Sequence, residues 1–164
     1  MIESWIFSVV FLGFLGWAAY CDAADLRIPN RLTLAMAGMG PFAVWLLGPG
    51  VGALPAAFLA GATTLIVTWT MFELGLLGGG DAKLAAAAAL WLGLEATLVF
   101  VLATAVFGAV LAASLVILSR SAAAQALVGL RWQERLNADA ISVPYAVAMA
   151  PAGVVATLTM LSQA

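Results

Sequence analysis

ATLVFVLATAVFGAVLAASLVIL, residues 96–118, carries no charged side chain and is long enough to cross a bilayer as one helix. The rest of the chain repeats this pattern. Further apolar segments run from Ile2 to Tyr20, Leu32 to Leu47, Ala53 to Leu77, Ala82 to Leu94 and Ile141 to Leu161. With 65% hydrophobic and 9% charged residues in 164, the chain has too little polar surface to wrap a soluble core of this size. A helical crossing takes about 20 mostly apolar residues, so the length accommodates roughly six crossings with short connections. The expected fold is therefore an all-α integral membrane protein, a bundle of about six transmembrane helices forming a single membrane-embedded domain over residues 1–164.

The joints between segments differ in chemistry. Asp22 to Arg31 is polar and contains Pro29, Gly48 to Gly52 is a Gly/Pro turn, and Gly78 to Gly80 is a run of glycines that permits backbone shapes other residues avoid. Gly93 and Glu95 mark the next joint only weakly. The fourth segment, counted from Asp81 to Leu94, is about 20 Å long at the helical rise, against about 30 Å of hydrocarbon. Asp81 is then expected below the lipid surface in a water-accessible notch, or at a thinned bilayer. The first segment has Glu3 ahead of it rather than a basic residue, so it reads as a membrane helix and not as a cleaved signal. Ser121 to Asn137, with Leu127, Leu130, Arg131, Trp132 and Arg135, reads equally well as a short interfacial helix or a plain loop.

The six cations all fall in odd-numbered connections: Arg27 and Arg31 in the first, Lys83 by the third, and Arg120, Arg131 and Arg135 in the fifth. The Lys/Arg bias of short loops sets orientation, so the odd connections are expected to be cytoplasmic and both termini outside. A net charge of −2 without a basic stripe excludes a nucleic-acid partner and leaves the lipid bilayer as the evident one. Cys21 is the lone cysteine and there is no histidine. That removes internal disulfides, cysteine-cluster metal sites, and Ser-His or Cys-His catalysis.

Carboxylates in or beside membrane helices cost several kcal/mol unless solvated or paired. Glu3 and Glu95 read as solvated outer ends, and Glu134 and Asp139 as loop acids. Asp22, Asp25, Glu73 and Asp81 remain. Singly, Asp22 and Asp25 could make local turns, and Asp81 could be the N-cap of the fourth helix. Jointly, Asp22 and Asp81 sit at one face and could meet across the bundle. Two close carboxylates do not readily both ionise, so such a pair shares a proton; one member activates water while the other protonates the carbonyl or leaving group. This chemistry needs no metal and no cofactor. Gly78, Gly79 and Gly80 would let a substrate strand approach the backbone beside Asp81. A proton relay through Asp22, Asp81 and Glu73 would instead spread acids over several depths, and a structural subunit would tolerate Asp→Asn at both positions. A Ser-Lys protease would have to use Lys83, the only lysine, which shares a helix turn with Asp81 and has no serine evidently placed for it.

Asp22 six residues before Ile28-Pro29-Asn30, Gly78-x-Gly80-Asp81 followed by Lys83, and a late Pro144-Tyr145 ahead of Ala146 to Gly153 together resemble the type IV prepilin peptidases. Similarity is greater to the short form associated with tight-adherence pili than to the longer form, whose added segment with paired Cys-x-x-Cys motifs accompanies methylation. The resemblance implies a multi-pass aspartic endopeptidase of the bacterial inner membrane. It would act at the cytoplasmic face on prepilin-like partners, removing a short basic leader by cutting after a glycine, without a cofactor. Carried over residue by residue, it makes Asp22 and Asp81 the catalytic pair, with Asp25 the local rival of Asp22. Gly78, Gly79, Gly80, Lys83, Pro29 and Asn30 would be supporting residues. Glu73 lies outside the motif and could bind the basic leader. The presenilin-like proteases share Gly-x-Gly-Asp, but their first aspartate directly follows a tyrosine, and here Cys21 separates Tyr20 from Asp22.

Overall fold

The computed structural model describes residues 2–120 and 143–163, and all regular structure among them is helical. Five helices follow in order: α1 (Ile2–Asp25), α2 (Asn30–Leu47), α3 (Leu54–Glu73), α4 (Gly79–Arg120) and α5 (Tyr145–Gln163), with a 3-10 turn at Val51–Ala53. All but α2 belong to stretches long and apolar enough to cross a membrane. Val9, Ile66 and Leu102 stand fully outward, as suits a lipid-facing perimeter. The segment read as an interfacial helix or loop lies outside the described residues, as do Arg131, Glu134, Arg135 and Asp139.

α1 runs past the expected end at Tyr20 to Asp25, so Asp22 and Asp25 belong to the helix and not to the following loop. Cys21-Asp22-Ala23-Ala24-Asp25 contains no helix breaker, and alanine is the strongest helix former. The turn comes at Leu26, whose φ of 51° is left-handed, and Pro29 then leads into α2.

The fourth and fifth sequence segments form one helical run broken at Gly93, where φ 69° and ψ −176° leave helical space. A side chain would strain this conformation. The two arms, residues 79–92 and 94–120, run in opposite directions, as their neighbours reveal. Trp91, near the end of the first arm, packs on Phe7 and Phe11 in the first half of α1. Gly108, midway along the second arm, lies against Tyr145 and Ala148, at the end of the bundle where α1 finishes.

α4 is the hub: α3, α5 and α2 pack on it, α5 also packs on α1, and α2 and α3 hardly touch one another. The buried alanines Ala85 to Ala89 let neighbouring backbones approach closely. Trp91, 1% exposed, donates Nε1–H to Met36 O at 2.8 Å. A Cβ on Gly40 would come within 2.8 Å of the Trp91 ring, so glycine is what admits the indole against α2.

Candidate active site

Asp22 lies in the last turns of α1 and is 5% exposed. Its backbone carbonyl accepts the Leu26 N–H at 2.9 Å, which holds the helix shut up to the left-handed residue. Its Oδ2 accepts the Ala146 N–H at 3.0 Å. Ala146 is the second residue of α5, in the turn whose amides have no partner inside their own helix. An aspartate of α1 thus caps α5 across the bundle, where the helix dipole favours negative charge. Pro144, fully buried, fixes the entry of the chain into that turn.

α4 begins at Gly79, so Asp81 is its third residue, inside the first turn and not at the N-cap. The glycines explain the shift, since the helix starts within the run. Asp81 is 8% exposed, and its Oδ1 has no hydrogen-bond partner among the described residues. Such a group costs about 1–3 kcal/mol unless something else satisfies it. Each glycine has its own neighbour. A Cβ on Gly78 would sit 2.7 Å from Asp81 Oδ2, one on Gly79 would meet the Phe72 ring at 3.1 Å, and one on Gly80 would reach Ile28 at 3.4 Å. Gly78 therefore leaves space for the folded-back carboxylate, and Gly80 lets α4 close on the loop after α1. From α3, the Thr68 hydroxyl lies 3.2 Å from Ala82 O and 2.7 Å from Thr64 O, joining α3 to the peptide next to Asp81.

Both carboxylates face one cavity of about 840 Å³ and interact electrostatically. The cavity also brings together Asp25, Pro29, Asn30, Gly78, Gly79 and Gly80. Lys83 lies just outside it, with Nζ 3.5 Å from Asn30 Oδ1. Glu73 is exposed and does not line the cavity. Sequence reasoning missed Thr68, and it missed the Ala146 amide as the partner of Asp22. Pro144-Tyr145 was the only signal for that amide; for Thr68 there was none. Among the described residues, no three His, Cys, Asp or Glu side chains group as metal ligands.

Residues 9–113 match the model of the type IV leader peptidase family. Neither the curated proteins nor the solved structures provide a match. The chain belongs to the type IV leader peptidase family and is a membrane protease. The matched stretch holds Asp22, Asp81 and the whole cavity lining, and it ends before α5, which supplies the Ala146 amide.

Proposed function

We propose that the protein is an aspartic endopeptidase that removes the leader of prepilin-like proteins at the cytoplasmic face of the bacterial inner membrane, cutting after a glycine. The observation that carries this reading is the convergence of two buried carboxylates, Asp22 from α1 and Asp81 from α4, on one polar cavity. Sharing one proton, the pair can work from both sides of a peptide bond. One carboxylate takes a proton from water as its oxygen attacks the carbonyl carbon, while the other gives its proton to the carbonyl oxygen. The tetrahedral diol then collapses, the C–N bond breaks, and the nitrogen leaves with a proton. Asp22 is held for this by the Ala146 amide, and Gly78 leaves Asp81 room to turn.

Six crossings with both termini outside fit the reversal at Gly93 and the confinement of the cations to odd connections. The whole chain then serves as one peptidase domain. Co-expression with a pilin precursor tests the reading by the precursor's size. Asp22→Asn and Asp81→Asn are each expected to abolish processing, Asp25→Asn to retain it, and a chelator to change nothing. Full processing by either of the first two variants would refute the assignment; loss with Asp25→Asn alone would move the role to Asp25.

A further inference from the structure

A second cavity, of about 530 Å³, opens beside the first, between α2 and α3 and over the first arm of α4. Its lining follows one spacing on all three helices: i, i+3, i+4 and i+7, starting from Asn30 on α2, Phe58 on α3 and Lys83 on α4. Three helices thus present matching two-turn faces to a common space about 10 Å long. This is the surface that a further helix would fill. The gap persists because α2 and α3 each pack on α4 and hardly on one another.

We propose that this groove seats an apolar helix of the substrate, lying directly beyond the bond that is cut. The inference rests on the peptidase reading above. Lys83 is the only charged residue of the lining, and the walls are otherwise nearly all apolar. The floor and sides include Ala37, Ala62, Ala86 and Ala87, small residues that admit a helix backbone at close range; an acyl chain has no need of them. The groove also adjoins the acidic cavity. Asn30 lines both, and its contact with Lys83, two residues after Asp81, forms the lip between them. A chain whose scissile bond lies between Asp22 and Asp81 therefore has one side in polar surroundings with Asp25 and Arg27, and the other side entering the groove.

The test uses the full-length protein in phospholipid vesicles with two substrates: a pilin precursor carrying its apolar segment, and the same peptide truncated just after the scissile bond. Ala62→Trp fills the groove from its open side and is expected to lower the ratio of kcat/KM for precursor over truncated peptide at least tenfold. Ile66→Trp, on the lipid face of α3, is expected to leave that ratio unchanged. A photo-crosslinker at Leu65 is expected to capture the precursor's apolar segment. An unchanged ratio for Ala62→Trp overturns the proposal, as do adducts at Leu65 consisting only of lipid or of a second copy of the chain. If the unaltered protein cleaves neither substrate, the peptidase reading itself falls; if it cleaves both and the ratio does not move, only the groove falls.

Discussion

The two ends of α4's first arm are made of opposite materials. At one end Asp81 is buried with an oxygen that finds no partner among the described residues, in a turn opened by three glycines. Further along, Trp91 is buried more deeply still, but its one polar atom is bonded to Met36 O and its ring is packed by Phe7, Phe11 and Phe14. A satisfied polar atom in a tight aromatic pack holds a bundle together; an unsatisfied carboxylate beside a cavity is free to act on something else. On the proposed reading, the arm therefore has an anchoring end and a reactive end.

Substitutions at the two ends should separate activity from stability. The largest effect is expected from Asp81→Asn or Asp22→Asn, with processing reduced roughly 10³-fold or more and little change in thermal unfolding, since asparagine at position 22 can still accept the Ala146 amide and a neutral amide at 81 costs less to bury than an unpaired carboxylate. Trp91→Ala should do the reverse, lowering stability by about 3–5 kcal/mol in denaturant titrations, with activity falling only as the folded fraction falls. Next comes a matched pair of glycines. Gly78→Ala pushes on Asp81 Oδ2 and is expected to cost about 10²-fold in rate, whereas Gly40→Ala pushes on Trp91 and should cost about 1–3 kcal/mol of stability. Thr68→Val removes the donor facing Ala82 O and should lower stability by about 1 kcal/mol, with a several-fold slower rate. Asp25→Asn, on an exposed position at the end of α1, is expected to stay within about twofold in the processing assay. An anchoring-end variant that lost activity while keeping its stability would break the distinction.

Hydropathy made the helices legible because a bilayer demands long uncharged runs, and this one signal supplies their type; among the described residues four stretches are long and apolar enough to span, two of the expected segments sharing one helical run. The ends of the helices were less legible. Hydrophobicity stops at Tyr20, but the helix does not, since Ala23 and Ala24 favour it whatever surrounds them. Asp81 has the composition of an N-cap, and only the backbone course through Gly79 moves it into the first turn. Gly93 was visible as a weak joint, while the left-handed Leu26 was not, because leucine carries no preference for that conformation. Pro29, Asn30, Gly78, Gly79 and Gly80, named through the resemblance, line the cavity with Asp22 and Asp81; Lys83 stands on the lip, and Glu73, which is no part of the motif, lies outside. The partners of the two aspartates were harder to read: a backbone amide such as that of Ala146 is present at every non-proline position, so nothing in its side chain announces it.

The bond from Ala146 to Asp22 spans 124 positions. Ribosomes deliver α1 well before α5, so while α2, α3 and α4 are made the first carboxylate waits without the Ala146 amide. A chain synthesised only as far as α4 carries both acids but not the amide that α5 brings to one of them. On the proposed reading, the acid pair reaches its working geometry only once α5 has joined the bundle, and a partly made bundle is spared from cutting its neighbours.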